Sequence, residues 1–279
     1  MGRGMSHRRF LPLLLLACGA AAPAPPHVQA PRRIVSLNLC ADQLVVDLAD
    51  RSQIAGLTRN APDVEMSAVA KRIGGLRILG QSAEEIVAID PDLIVGTPPR
   101  SNGMLAALAP HHYRTVDLGW ANGYADIVAQ IRQVAIAVGH PARGEALIAR
   151  MDHALATLPR VPGHPVAAYY QRRGFLTGTG TLVDELMTRI GLINLATKLG
   201  KPVLSQVSLE EMIAARPDYL IVETASDHIV DQGTEMLHHP ALDRIPRLHL
   251  PEAWTVCGSP AYVQAAQSLV RQVAALRAS

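Results

Sequence analysis

Two pairs of adjacent acids, Glu84-Glu85 and Glu210-Glu211, are the residues whose type and spacing best suit chemistry. Each pair stands two residues after a serine, so each is predicted to lie in the first turn of a helix that the serine caps. Two carboxylates that faced each other across a cleft could serve as the acid and base of a glycoside hydrolase. Exposed carboxylates could instead bind a basic partner, or simply complement the helix dipoles. These uses remain open on the residues alone.

The sequence around each acid pair repeats, from residues 82–95 to residues 208–222. Each copy has a capping serine, a short amphipathic helix, a Pro-Asp break and an apolar run that indicates a buried strand. A helix–Pro–Asp–strand unit in each half predicts two α/β lobes of similar design. A cleft between two such lobes is the expected place for a ligand.

Aromatic and basic side chains follow several of the predicted strands, where parallel α/β sheets bind their ligands. Aromatic residues make up only 4% of the chain, so the position of both tryptophans after strands favours a stacking platform for a large, flat ligand. Arginines there suit carboxylate, phosphate or hydroxamate oxygens of a chelate. The alternatives are tryptophans buried in a lobe core and arginines that are merely solvated. The predicted ligand-binding residues are Asn38, Arg59, Arg100, Trp120, Tyr169, Tyr170, Arg172, Arg173, Glu223 and Trp254, with Thr58, Thr97 and Gln171 also at strand ends.

The first 30 residues predict an export leader. A basic start that includes Arg8 and Arg9 precedes the apolar segment Phe10 to Ala17, which is too short to span a membrane. We therefore expect an extracytoplasmic, periplasmic protein. The sequence before Cys18 resembles a lipoprotein cleavage box, whereas an ordinary cut near Ala22 or Ala30 would discard that cysteine. Cys40 and Cys257 then remain, either as a disulfide or as two buried thiols.

The remaining elements predict an α/β fold of two Rossmann-like lobes with mainly parallel sheets, since strands alternate with helices throughout. We expect an N-terminal lobe over residues 31–140, a linker helix over 141–160 and a C-terminal lobe over 161–279. A helical linker would limit hinge motion between the lobes. The net charge of +2 and the lack of a basic stripe argue against nucleic acid, and we expect a monomer without a cofactor.

The order of these elements resembles the periplasmic substrate-binding proteins of iron-complex and vitamin B12 importers. The resemblance rests on residues 33–38, 80–85 and 207–211, together with the helix at the midpoint of the chain. It implies a receptor that binds a metal chelate, either cobalamin or a ferric siderophore, and delivers it to an ABC-type permease dimer. It also implies that Glu84 and Glu210, one on each lobe, dock onto arginines of that permease.

Three alternative functions remain, and the last two of them are less consistent with the sequence. A haem receptor would fit the same aromatic-rimmed cleft. A receptor for bare Zn²⁺ or Mn²⁺ would have to use the adjacent pairs His111-His112 and His238-His239, whose side chains diverge on a helix or strand. An exported enzyme is disfavoured because the chain lacks a nucleophile elbow, a Walker loop and a His-Glu-x-x-His motif.

Overall fold

The computed structural model describes residues 1–2, 29–80, 82–96 and 104–278. The predicted leader with Cys18, and the loop that carries Thr97 and Arg100, lie outside the described residues. Within the described part, no helix is both long and apolar enough to cross a membrane. The strands are β1 (Ile34–Ser36), β2 (Ile54–Gly56), β3 (Leu93–Val95), β4 (Thr115–Val116), β5 (Val166–Tyr169), β6 (Phe175–Thr177), β7 (Ile193–Asn194), β8 (Leu204–Gln206), β9 (Tyr219–Glu223) and β10 (Arg247–Leu250). The helices are α1 (Leu39–Leu48), α2 (Ala83–Ile89), α3 (Met104–Leu108), α4 (Tyr124–Val138), α5 (Pro141–Ala156), α6 (Leu182–Ile190), α7 (Leu195–Lys198), α8 (Leu209–Ala215) and α9 (Ala261–Ala278).

Two four-stranded parallel sheets form the two halves of the molecule. Their strand orders are β2-β1-β3-β4 and β10-β9-β5-β7. The predicted α/β fold with mainly parallel sheets is thereby confirmed. A short antiparallel pair, β6 with β8, adds to it. The sequence predicts only a polar, Gly-rich segment over residues 171–180 and a loop over residues 194–206, because three-residue strands are too short to show an alternating pattern.

The repeated Pro-Asp step joins each repeated helix to its sheet. The Asp92 carboxylate accepts hydrogen bonds from the backbone amides of Arg32 and Arg33, both at 2.8 Å, just before β1 begins. In the second half, Asp218 accepts the amide of Val166 at 2.7 Å, at the start of β5. Each aspartate thus pins the amino ends of two neighbouring strands, which explains why it recurs at the same place in both copies.

The two repeated helices are built alike. The Ser82 hydroxyl caps α2 by accepting the amide of Glu85, and the Ser208 hydroxyl caps α8 by accepting the amide of Glu211. Each helix buries one residue completely against its sheet. This residue is Ile86 in α2 and Met212, its equivalent in the repeat, in α8. The helices are therefore anchored by one side chain each and leave their first turns on the surface.

One continuous cluster of buried side chains includes residues of both sheets, among them Ile34 and Leu93 of the first half and Ala167 and Ile221 of the second. The helices α1, α4, α5, α6 and α9 contribute to the same cluster. Two smaller clusters cover the opposite face of each sheet and hold α2 and α8. The two halves are thus joined by a shared core, which a helical linker alone would not supply.

The helix at the predicted linker is α5, and it packs along α4 without projecting into solvent. Gly144 lies so close to α4 that a Cβ atom there would approach the Cβ of Ala135 to 2.5 Å. Arg132 of α4 and Glu145 of α5 form an ion pair at 2.7 Å across the same pair of helices. Two helices packed this closely form a stiff connection between the sheets.

Candidate functional site

The carboxyl ends of the strands define one edge of each sheet, which we call the carboxyl edge. A helix that connects parallel strands runs antiparallel to them, so the first turns of α1, α2, α4, α6 and α8 lie at these carboxyl edges. The segments that follow β1, β2, β4, β5, β9 and β10 lie there too. The carboxyl edge is where the sequence places the ligand site.

A disulfide joins the two carboxyl edges. Cys40, in the first turn of α1, is bonded to Cys257, which lies between β10 and α9, and their Cα atoms are 5.2 Å apart. The sequence leaves this pairing open, because partners 217 residues apart give no local signal of their proximity. The bond ties the first half to the second on the side where a ligand would enter.

Close backbone packing continues beside the disulfide. A Cβ atom at Gly258 would lie 2.2 Å from the Cβ of Ala121, which follows β4 in the other half. Nearby, the ring of Tyr124 at the start of α4 lies 5.7 Å from the ring of Tyr262 in α9. The guanidinium of Arg189 lies over the Tyr124 ring at 5.0 Å. These contacts hold the two carboxyl edges in a fixed relation on one side of the molecule.

Carboxylates of both halves come together at the carboxyl edges. Burial raises the pKa of the Glu252 carboxyl, and the nearby carboxylates of Glu223, Asp63 and Glu65 raise it further. Asp63 and Glu65 follow β2 in the first half, whereas Glu223 and Glu252 end β9 and follow β10 in the second. Ligand groups next to Glu252 are therefore expected to be neutral or cationic, although the exposed Arg59 also follows β2.

We expect Glu252→Gln to raise the melting temperature at neutral pH. Because the pKa of Glu252 is raised on folding, its ionised form destabilises the native state at pH values above that raised pKa. This gain in melting temperature should disappear as the pH falls below 4.5, the ordinary pKa of a glutamate, because Glu252 is then protonated in both the native and the unfolded state. Thermal unfolding of the two proteins from pH 3 to pH 8 checks this; an equal difference at every pH would contradict it.

The carboxylate of Glu223 is buried, and three neighbouring side chains donate hydrogen bonds to it. Its carboxylate accepts hydrogen bonds from the hydroxyl of Tyr169 at 3.2 Å, the side-chain amide of Gln171 at 2.7 Å and the hydroxyl of Ser226 at 3.1 Å. Gln171 in turn accepts the hydroxyl of Thr177 at 2.8 Å. Glu223 therefore lies at the predicted edge but acts there by orienting half-buried Gln171, which sits closer to the surface.

The prediction that Tyr169 and Tyr170 line an open cleft is wrong. Tyr169 is 3% exposed and Tyr170 is 0% exposed. Successive residues of a strand point to opposite faces, and both faces of β5 are covered, so the two rings enter different cores. The Tyr170 hydroxyl donates to the carbonyl of Val207 at 3.0 Å, and burial raises the pKa of this tyrosine to about 12.

The two tryptophans differ in exposure. Trp120 follows β4 and is 91% exposed, so it does not fill a lobe core. Trp254 is half-buried and packs against the shared core. An exposed indole at the carboxyl edge is available to stack on a flat ligand, which is the role the sequence predicts for it.

The polar residues predicted for the site also divide. Arg59 is exposed after β2. Asn38 is half-buried and caps α1 by accepting the amide of Ala41 at 2.9 Å. The hydroxyl of Thr58 is buried and donates to Asp42 at 2.5 Å, so Thr58 is not a lining residue. Arg172 forms an ion pair with Asp231 at 2.8 Å, which occupies part of its guanidinium.

The repeated acid pairs separate into two roles. Glu85 is paired with Arg77 at 2.9 Å, and Glu211 is paired with Lys201 at 2.8 Å. Glu84 and Glu210 are exposed, and neither forms an ion pair with any residue that the structure describes. Hydrogen bonds from their own backbone amides and from the capping serines lower the pKa of both carboxyls. Each half thus presents one ionised, exposed acid at its carboxyl edge.

The acids Asp63, Glu65 and Glu252 are absent from the residues that the sequence predicts for the site. Asp63 and Glu65 lie in a loop of mixed polarity, and Glu252 lies between β10 and the predicted Trp254. A consistent use of the strand-end rule would have included Glu252, since it follows a strand as closely as Trp254 does. Asp63 and Glu65 do not directly follow a strand, so the strand-end rule does not select them. They come near Glu252 only because the two halves pack together.

The comparisons with known proteins agree with this architecture. A family model described as periplasmic binding protein matches residues 34–247. A cobalamin-binding protein of Halobacterium salinarum is 22% identical over 264 residues, which cover 81% of this chain and 72% of that protein.

Among solved structures, the periplasmic heme-binding protein RhuT of Roseiflexus sp. RS-1 has a TM-score of 0.69 at 24% identity. It aligns with 87% of this chain and 97% of its own. The periplasmic vitamin B12 binding protein BtuF of Vibrio cholerae has a TM-score of 0.62 at 15% identity, with 90% and 99% of the two chains covered. At these identities the solved structures establish a common fold.

Proposed function

Because this chain belongs to the periplasmic binding protein family, we propose that it captures a metal chelate outside the cytoplasm and delivers it to an ABC-type import permease. The observation that best supports this role is the mirrored pair Glu84 and Glu210. Each is exposed in the first turn of a repeated helix, and the acid beside it is paired within the chain. Two ionised carboxylates on a rigid body match two basic sites on a dimeric partner.

We propose that the chelate is a corrinoid of the cobalamin type. A relative whose alignment covers most of the chain is a cobalamin-binding protein, and the carboxylates around Glu252 suit uncharged polar groups of a ligand. Haem iron commonly takes an axial His, Cys, Met or Tyr from the protein. At this edge Tyr169 and Tyr170 are buried and the two cysteines are bonded to each other, whereas half-buried Tyr124 and Met236 remain. A corrinoid carries its own lower axial base and has no such requirement.

The proposed site lies at the carboxyl edges, with Trp120 and Arg59 exposed and Gln171 and Trp254 half-buried. Arg100 follows β3 in sequence and belongs to the same proposed site. The leader over residues 1–30 places the protein in the periplasm in this proposal, either free or tethered through a lipid on Cys18. Its permease partner is a dimer and the receptor itself is a monomer.

The ligand is tested by titration calorimetry of the chain from residue 31 with cyanocobalamin, hemin, a ferric hydroxamate siderophore, Zn²⁺ and Mn²⁺. We expect saturable one-to-one binding of cyanocobalamin and no tight site for either bare ion. Binding of hemin or the siderophore alone would keep the receptor role and overturn the corrinoid assignment. A tight site for a bare ion alone would overturn the chelate role.

Trp120→Ala should weaken cyanocobalamin binding about tenfold, because loss of a stacking indole removes about 0.5–1.5 kcal/mol beyond the lost contact area. Ile136→Ala is the matched control: Ile136 is 65% exposed near the end of α4 that points away from the carboxyl edge. Equal affinities of Trp120→Ala and the control in calorimetry would remove Trp120 from the site.

A further inference from the structure

Arg173 stands apart among the non-glycine residues with left-handed backbone. The described part of the chain has five of them, Asp90, His112, His164, Arg173 and Arg216. Four stand two or three residues before a strand, namely β3, β4, β5 or β9, and turn the chain into it at the amino edge of a sheet. Arg173 likewise stands two residues before a strand, β6, but it alone in this group directly follows a main-sheet strand, β5, and so lies at the carboxyl edge.

The left-handed conformation at Arg173 is held by contacts on both sides. Its amide donates to the carbonyl of Gly233 at 2.6 Å, and its own carbonyl accepts the side-chain amide of Gln206 at 3.3 Å. The next residue, Gly174, also has a positive φ of 73°, and its carbonyl accepts the amide of Val207 at 2.9 Å. The surrounding structure therefore imposes this turn whatever side chain occupies position 173.

A glycine at position 173 would adopt φ 59° without the steric conflict that a Cβ atom creates. The arginine side chain gives the fold little in return: it is exposed, and it makes no ion pair with the described residues. Its neighbour Arg172 is the one that stabilises the turn, through Asp231. Strained backbone held at a functional edge indicates that the side chain serves a contact outside the fold.

We propose that Arg173 binds an oxyanion group of the captured chelate. A guanidinium binds carboxylate and phosphate oxygens through two parallel hydrogen bonds. The side chain borders a shallow pocket of about 340 Å³, formed with Gln232, Gly233, Glu235 and Met236. A corrinoid with a nucleotide loop offers a phosphodiester, and haem offers carboxylates. The inference rests on the proposed function and assigns to Arg173, one of the predicted ligand-binding residues, the selection of this anionic group.

Arg173→Gly separates the side chain from the backbone strain. We expect about a tenfold or larger loss of cyanocobalamin affinity, as for a lost charge-assisted hydrogen bond, with a melting temperature at least as high as that of Arg173→Ala. Arg216→Gly is the matched control. It replaces an exposed left-handed arginine at the amino edge, at φ 46°, and should leave the affinity unchanged.

The ligand source is decided by pairs of probes in the same titrations. If the phosphodiester is the partner, Arg173→Gly weakens cyanocobalamin but not dicyanocobinamide, which lacks the nucleotide. If carboxylates are the partner, it weakens hemin but not hemin dimethyl ester. Unchanged affinity of Arg173→Gly for whichever of cyanocobalamin and hemin the wild type binds would overturn the inference alone. A wild type that binds only the ferric siderophore would overturn this inference and keep the receptor role. A wild type that binds neither the four probes nor the siderophore would overturn the proposed function itself, and this inference with it.

Discussion

Reversal of two charges, Glu84→Lys with Glu210→Lys, should abolish uptake of the ligand into cells while leaving its affinity for the purified receptor intact. Both acids are exposed and therefore ionised at neutral pH, and hydrogen bonds from their own amides and the capping serines lower the pKa of both carboxyls further. Loss of one partner of an interfacial charge pair costs about 2–5 kcal/mol, and a lysine opposite a basic site adds repulsion. Two such changes should reduce docking below detection.

The control for this experiment is Glu85→Gln with Glu211→Gln. These acids lie in the same helical turns but are paired with Arg77 and Lys201 of the chain itself. We expect near-normal uptake from this variant and a small loss of stability, as is usual for exposed ion pairs. Uptake is measured with radiolabelled ligand in cells that contain the permease, and affinity is measured by calorimetry. Loss of ligand affinity in the lysine variant would show that the two acids face the ligand.

Removal of the disulfide by Cys40→Ala with Cys257→Ala should produce the largest change in stability. The bond closes a very long loop, with its cysteines 217 residues apart, and loss of a native disulfide typically lowers the free energy of unfolding by about 2–5 kcal/mol. For a domain of this size that corresponds to a fall in melting temperature of about 5–15 °C. Alanine is preferred to serine as the replacement, because Cys257 is buried and a serine there would bury a hydroxyl group.

The same variant tests whether the two halves are locked together at the ligand side. With the bond removed, the carboxyl edges remain joined by the Gly258–Ala121 contact and by the shared core. We expect faster dissociation of bound ligand, measured by stopped-flow displacement, because the halves can then separate more often. Reduction of the wild type should reproduce both effects, and reduction of the variant should change neither. An unchanged melting temperature in the variant would show that the bond does not constrain the halves.

Much of the fold follows from local sequence, whereas the union of its halves does not. The capping serines, the acids of the first turns and the Pro-Asp step are short-range signals, and the structure has a helix and a strand where each copy predicts them. The alternation of strands and helices likewise predicts parallel sheets. The disulfide and the shared core depend on contacts between residues far apart in the chain, which no local pattern encodes.

The site shows the same division. Position after a strand places Trp120 and Arg59 on the surface of the carboxyl edge. The same rule misplaces Tyr169 and Tyr170, because it does not register that β5 lies in the middle of a sheet covered on both faces. It also treats Arg172 and Arg173 alike, although one is paired with Asp231 and the other is exposed on strained backbone. These differences arise from packing around β5, which the spacing of residues does not reveal.

Native mass spectrometry of the receptor purified from its own host tests the central claim most directly. It reads the bound molecule and the Cys40–Cys257 bond in a single measurement, with no choice of probe. We expect a one-to-one complex with a corrinoid, and a polypeptide mass lower than that of the reduced form by two hydrogen atoms. A protein from a host with ample corrinoid that carries only a bare metal ion, or no small molecule, would contradict a chelate receptor.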